Sequence, residues 1–460
     1  MIDSLIDHWQ PRIVWFGFLV VAFGVFVSMP VRNVGLQPLL LFPIGAAVMA
    51  FCVWRGRRGG IPVAGRWIAW LEANSSRVCF WAVVAGVLLR VLFLLVVPVV
   101  QVSDFQEYLG LARKILSKGE LVWDQPNGQY WYAYRPPGYP AFLAAAMAIA
   151  GDRPLLPAAL NIVLYVAAAA ILRRMSLCWT NPAAAAATQV LFAFWPDAIV
   201  SVGLAQHEPL FIVLVYLAVW LFLRATGIGS HLVAGLVTAA SILVRQTLLP
   251  IPVVWLLRRR SPVILAAVAS MTLMVGAWGI RNHRKGVPVL ISSNIGSVIY
   301  PAAFDGAKEE YDDAPVVEMF KKAEWNEYRQ YAMMTESAKR WIIANPGRWT
   351  ILLLRRLPQF LGEDGGGMSW VLKVGHNYDG QSYLVARMIG QGWWVLVWIL
   401  AAVAAVARRD AIIASPDIQF LLWVILLFVV TALPFITQAR YHAGLVPAVL
   451  LLSGWAFRRA

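Results

Sequence analysis

The sequence predicts an all-α, polytopic integral membrane protein, and three observations carry that prediction. Of 460 residues, 60% are hydrophobic and only 14% are charged. The mean hydropathy of +0.66 is more than a water-soluble chain could hide in its core. The basic residues, which give a formal net charge of +15, are gathered into short clusters between apolar runs. At ~20 apolar residues per crossing, a dozen spans would use roughly 240 residues and leave room for substantial loops.

Apolar runs bounded by charges fall at Ile13–Ser28, Leu36–Trp54, Val78–Val100, Pro140–Ala150, Leu155–Leu172, Ala183–Trp195, Leu210–Leu223, Leu232–Leu257, Val263–Ile280, Trp349–Leu361, Trp393–Ala407, Ile418–Phe435 and Ala443–Phe457. This predicts about 12–13 transmembrane helices. Pro140–Ala150 and Trp349–Leu361 are short for a core ~30 Å thick and are expected to be partial or tilted.

The basic clusters set the orientation. Arg55, Arg57, Arg58, Arg66 and Arg77 share one connection, Arg173 and Arg174 another, then Arg258 to Arg260, Arg408 and Arg409, and Arg458 and Arg459. Spread over short loops, they follow the positive-inside pattern beside anionic lipid rather than a nucleic-acid footprint. With these loops inside, 101–138, 364–391 and 437–441 fall outside. Two arrangements are open between Pro140 and Ile280. If every run crosses once, Arg173 and Arg174 lie outside. If Pro140–Leu172 makes one net crossing and Leu232–Leu257 is broken near Pro250 and Pro252, every basic cluster lies inside, and this arrangement is preferred.

Four regions follow: 1–77, with two N-terminal spans and a basic loop; 78–281, a core holding the first outer loop 101–138; 282–348, a large outer loop; and 349–460, membrane segments with the outer loop 362–391. The large loop holds nine acids, Asp305, Glu309, Glu310, Asp312, Asp313, Glu318, Glu324, Glu327 and Glu336, of the 24 in the chain. Its Val316–Ile343 portion predicts an amphipathic helical pair lying along the membrane surface. Cys52, Cys79 and Cys178 form no C-x-x-C pair, so neither a disulfide framework nor a cysteine zinc site is expected.

Chemistry is expected in the first outer loop. Asp104, Glu107 and Tyr108 open it on a short surface helix. The plain reading of Asp104 and Glu107 is a capping box; the functional one is a general base at the membrane boundary. At the loop's far end stands Tyr134-Arg135-Pro136-Pro137-Gly138-Tyr139, where a cation fixed before a Pro-Pro corner suits a phosphate ligand better than a snorkelling side chain. Further candidates are His207 and Glu208 (a second acid near substrate, part of a metal site, or a helix cap), Arg245 inside an apolar run, Arg281 with Asn282, and Arg440 with Tyr441. Gly365 to Gly367, beside Glu363 and Asp364, read as a mobile acidic lid.

Taken in order, these motifs resemble the polytopic GT-C glycosyltransferases, nearest the branch of protein O-mannosyltransferases and the lipid A aminoarabinose transferase. The resemblance runs from about Leu89 to Pro447. It rests on Asp104 and Tyr108, Arg135-Pro136-Pro137-Gly138-Tyr139-Pro140, Trp195-Pro196, His207-Glu208-Pro209-Leu210-Phe211, Gly235 with Leu243-Val244-Arg245, Trp278-Gly279-Ile280-Arg281-Asn282 and Arg440-Tyr441. It implies a GT-C fold, a polyprenyl-phosphate-linked sugar as donor, and a lipid, glycan or protein acceptor. It also implies inverting transfer on the outer face of a bacterial inner membrane. Asp104 would be the base; Arg135, Arg440 and Arg245 would bind the donor phosphate. Glu107, Tyr108, Tyr134, Tyr139, His207, Glu208, Arg281, Asn282 and Tyr441 would line the substrates. No cofactor is certain, and a divalent cation is left open.

The chain departs from that pattern in two places. The phosphate ligand of the aminoarabinose branch is typically lysine, where Arg135 stands here, and Phe105 replaces the second acid of many mannosyltransferases. The absence of G-x-G-x-x-G and P-loop motifs fits a lipid-linked rather than a nucleotide-linked donor. Rival readings are a flippase or transporter of a lipid-linked saccharide, and an envelope polysaccharide polymerase or ligase.

Overall fold

A computed structural model describes residues 10–22, 24–25, 62–258, 261–304, 306–307, 312–376, 380–435 and 438–458. The expected span Leu36–Trp54 and the acids Asp305, Glu309 and Glu310 lie outside the described residues. The helices are α1 (Gln10–Ala22), α2 (Pro62–Ala73), α3 (Ser75–Val96), α4 (Asp104–Lys118), α5 (Gly138–Ala150), α6 (Leu156–Trp179), α7 (Pro182–Ala193), α8 (Pro196–Val200), α9 (Glu208–Arg224), α10 (Ile228–Val244), α11 (Ile251–Arg258), α12 (Ile264–Arg284), α13 (Asn294–Ile299), α14 (Ala314–Lys322), α15 (Glu327–Ala344), α16 (Pro346–Leu361), α17 (Gln381–Ala407), α18 (Arg409–Ala414), α19 (Pro416–Ala432) and α20 (Val446–Gly454). Between α4 and α5, β1 (Trp123–Asp124) pairs antiparallel with β2 (Tyr130–Trp131), Trp123 opposite Trp131.

Local signals explain where the helices begin and end. Asn181 accepts from the Ala184 amide with Pro182 in the first turn of α7, and Asn326 accepts from the Arg329 amide at the start of α15. Gly119 closes α4 with φ 69°, a left-handed cap that glycine adopts without a Cβ penalty.

Among the described residues α3, α6, α12 and α17 are long and apolar enough to cross a membrane, and the bent pair Pro182–Ala193 and Pro196–Gly203 would make a fifth span. The other apolar helices are shorter, so the twelve or thirteen full spans expected are not reached by length. The run Leu232–Leu257 is two helices because the chain leaves α10 at Arg245 and resumes after Pro250. Large apolar side chains are turned outward along these helices, as Leu95, Val96, Ile149 and Leu273 are, which in water would be costly and in lipid is not.

The helix ends sort by charge. Ser75 donates to the Pro182 carbonyl at 2.7 Å, Arg173 reaches Ser76 at 3.5 Å, Arg258 pairs with Asp417 at 3.2 Å, and Arg408 donates to the Arg458 carbonyl. The described residues of these basic clusters therefore lie at helix ends that pair with one another. α6 runs antiparallel to α3, with Arg173 beside Ser76 and Tyr165 beside Gly86, so α6 begins near the last turns of α3. There Arg90 is fully buried: its Nη1 donates to the Gly86 and Ala193 carbonyls at 2.9 and 3.3 Å, and its guanidinium lies 3.8 Å from the Tyr165 ring centre. A cation within an apolar helix is stable only with such partners.

Candidate active site

Asp104 opens α4 eight residues after α3 ends. Its carboxylate makes no capping bond. The helix starts instead from Ser103, held at φ 51° and ψ −130°, and Asp104 turns away from the backbone. The expected capping box is thus not formed, because both acids are taken by arginines. Arg135 Nη2 lies 2.6 Å from Asp104 Oδ1 and 2.6 Å from Glu107 Oε2, with its Nε 3.1 Å from the latter. Arg440 Nη2 lies 2.6 Å from Asp104 Oδ2. The three side chains are only 18% (Asp104), 13% (Arg135) and 11% (Arg440) exposed. Burial alone would raise the Asp104 pKa; the two guanidiniums outweigh it and hold the group well below the usual carboxylate range. The same pairing keeps both arginines firmly protonated in spite of their burial.

Each arginine has its own support. Arg135 sits 5.2 Å from the Tyr134 ring centre, and the Tyr134 hydroxyl donates to Ser297 at 3.3 Å. Gly138 ends the corner so close to α10 that a Cβ there would stand 2.8 Å from the Val244 amide nitrogen. On the other side of Asp104, Arg440 lies between Trp370, Phe105 and Tyr441 at 5.4, 5.7 and 5.5 Å. A Cβ at Gly366 would stand 2.6 Å from the Arg440 amide nitrogen, so the glycine run is a close-packed seat for this turn rather than the mobile lid its composition suggested.

A second layer surrounds the pairs. Tyr108 is 3.3 Å from His207 Nδ1 and packs edge-on against Tyr139, and burial raises the Tyr108 pKa. Burial likewise pushes His207 down to about 4, against the pull of Glu208. Glu208 is 5% exposed, and no side chain donates to either of its oxygens; the neutral His207 ring stands 3.6 Å away through Nδ1. Arg245 stacks 4.8 Å from the Tyr441 ring. A mostly apolar cavity meets the site at Arg440 and Phe105, lined there also by Glu208 and Trp370 and further on by Arg90, Tyr165 and Phe192.

Asp104, Glu107, Tyr108, Tyr134, Arg135, Tyr139, His207, Glu208, Arg245, Arg440 and Tyr441 are thus brought together. Two candidates are not. Arg281 donates to the backbone carbonyls of Tyr132 and Leu121, and buried Asn282 donates to those of Val289 and Ile291 at 3.2 Å. Both side chains are engaged with loop backbone rather than with the Asp104 cluster.

Several contributors carry no local signal. Glu327, fully buried, accepts from the Tyr132 amide, from the Ala133 amide at 2.9 Å and from the Ser293 hydroxyl at 2.7 Å, so it fixes the strand that leads to Arg135. Asp364 accepts from Trp195 Nε1 at 2.7 Å and meets His442 Nε2 at 3.2 Å, while Asp197 accepts from the Met368 amide at 2.9 Å. These bonds anchor the turn carrying Arg440.

A divalent cation does not fit at Asp104. Both carboxylate oxygens are taken by guanidiniums, and among the described residues no three His, Cys, Asp or Glu side chains converge.

No family model matches the chain, and no curated protein matches it in sequence. Solved structures do. The oligosaccharyltransferase AglB from Archaeoglobus fulgidus, in complex with an inhibitory peptide and a dolichol-phosphate, is 13% identical over 83% of this chain and 50% of its own, with a TM-score of 0.50. An A. fulgidus oligosaccharyltransferase complexed with Zn and sulfate is 14% identical over 82% and 48%, TM-score 0.49. ArnT from Cupriavidus metallidurans bound to undecaprenyl phosphate is 13% identical over 85% and 76%, TM-score 0.37. The chain spans about half the length of the two archaeal proteins. The likeness to AglB shows a shared polytopic helical fold.

Proposed function

We propose that this protein is a glycosyltransferase that moves a sugar from a polyprenyl-phosphate carrier to an acceptor hydroxyl, with inversion, on the outer face of a bacterial inner membrane. The observation that carries the reading is one buried carboxylate gripped by two guanidiniums from distant parts of the chain, beside an apolar cavity. The fold shared with an oligosaccharyltransferase solved with dolichol-phosphate supports it.

In the resting site Asp104 is a weak base, because both its oxygens accept charged hydrogen bonds. An arriving donor phosphate competes for Arg135 and Arg440. As the guanidiniums turn to the phosphate, Asp104 regains proton affinity at the moment the acceptor is in place. The acceptor oxygen then attacks the anomeric carbon, its proton passes to Asp104, and the bond from that carbon to the phosphate oxygen breaks. The bonding pair leaves with polyprenyl phosphate, whose growing charge the two arginines stabilise. Arg245 adds a third cation nearby. Each step uses groups of this chain alone.

The test is reconstituted protein supplied with polyprenyl-phosphate sugars and acceptor membranes, with a new glycosidic bond read by mass spectrometry. Labelled carrier lipid crossing the bilayer with no bond formed would instead mean a flippase.

A further inference from the structure

The site holds three carboxylates and three guanidiniums, yet they are not spent evenly. Asp104 and Glu107 are consumed by Arg135 and Arg440. No guanidinium takes Glu208: it is 5% exposed and no side chain donates a hydrogen bond to either of its oxygens. Its neighbour His207 is 3.6 Å away and also faces the Tyr108 hydroxyl. Arg440 Nε and Arg245 Nη1 are likewise buried without an acceptor. A bare carboxylate excluded from water costs several kcal/mol unless something donates to it. His207, the residue before α9, makes no side-chain capping bond, and the first turn offers Glu208 at most its own backbone amide.

Glu208 lines the same cavity as Arg440. That places the Glu208 acceptors and the unused Arg440 donor around one space, with the donor where the phosphate is proposed to bind. We propose that Glu208 reads the sugar: its two oxygens accept from two adjacent free hydroxyls of the saccharide on the carrier, making it the specificity-determining residue of the donor site. A carboxylate suits this task because its paired oxygens match the spacing of neighbouring hydroxyls, and a buried acceptor left empty penalises a donor lacking them. The inference rests on the transferase reading above and narrows its substrate to sugars with an unsubstituted vicinal diol.

The experiment measures binding rather than turnover. The full chain in nanodiscs is titrated with bare undecaprenyl phosphate and with undecaprenyl-phosphate glucose, galactose and mannose. The readout is the ratio of sugar-loaded to bare-lipid affinity. In the wild type the best sugar is expected to raise affinity at least tenfold, and Glu208→Gln to bring that ratio close to one. Monodeoxy analogues of the best sugar, tested on wild type, are expected to lose about tenfold at two neighbouring positions and little elsewhere, which keeps the proposal testable if the variant misfolds. A ratio near one in wild type, a ratio unchanged in Glu208→Gln, or deoxy analogues that all bind like the parent would each overturn it. Failure of the transferase reading looks different: the affinity ratio and the deoxy pattern would stand, but no new glycosidic bond would form when acceptor membranes are added.

Discussion

Arg440 reaches Asp104 across 336 positions of sequence and donates to its Oδ2 at 2.6 Å. The pairing makes the carboxylate the meeting point of the first loop and the last membrane segment. Asp104→Asn keeps the shape while removing the charge and the base. Sugar transfer is expected to fall at least ~10²-fold, with the protein still inserted and folded. Wild-type turnover in that variant would remove Asp104 from the reaction.

Arg135 and Arg440 share one acceptor, so their effects should be coupled. Each alanine substitution is expected to weaken binding of bare undecaprenyl phosphate about tenfold or more. The double variant should lose less than the product of the two. Strict additivity in a double-mutant cycle would mean that the two do not act on a common phosphate.

His207 supplies a pH signature. Its imidazole is held neutral by burial, with its pKa pushed down to about 4. Unfolded chains take up that proton near pH 6.5. Stability from this group is therefore complete above about pH 6.5 and falls as pH drops towards 4, by up to about 3 kcal/mol. The contribution of Asp104 is full through most of this window and is lost mainly below about pH 4, where the unfolded chain's aspartate takes up its proton. Thermal unfolding of His207→Phe in detergent should lose most of the slope between pH 6.5 and 4.

Glu327 is a long-range support of Arg135. Glu327→Ala leaves the Tyr132 and Ala133 amides and the Ser293 hydroxyl without their acceptor. The expected loss is about 3 kcal/mol. Protease cleavage between β2 and Arg135 should rise and transfer should fall together. A variant with normal turnover and normal protease resistance would show that the strand is held elsewhere.

Ser103 stands in a backbone region that favours glycine, one residue before the proposed base. Ser103→Gly should be neutral or stabilising by up to about 1 kcal/mol, and Ser103→Val should destabilise by about 1–3 kcal/mol. Equal thermal stability of the two variants would argue against strain at this residue.

The membrane class was legible because burial in lipid needs only composition and charge placement. The Asp104 to Arg135 pairing was legible because both ends of one loop were unusual: an acid at a helix start and a cation before two prolines. What local pattern could not reveal was competition for the same atoms. Asp104 and Glu107 have the spacing of a capping box, but the guanidiniums offer stronger bonds than backbone amides do. Arg281 looks like a ligand from its place at a helix end, yet unpaired carbonyls of Leu121 and Tyr132 claim it. Glu327, one acid among nine in its loop, gains its role only from contacts about 195 residues away. The Pro250 break was visible as proline; that the chain leaves the helix already at Arg245 depended on the tertiary setting.

Arg90 bears on how such a chain is made. An arginine at the centre of an isolated spanning helix raises the cost of leaving the translocon by about 2.5–3.5 kcal/mol. The groups that satisfy it here, the Tyr165 ring and the Ala193 carbonyl, belong to α6 and α7, synthesised roughly 75 to 103 residues later. Until those partners emerge, only the Gly86 carbonyl of the same helix serves Arg90, so full pairing of this cation waits on helices made later.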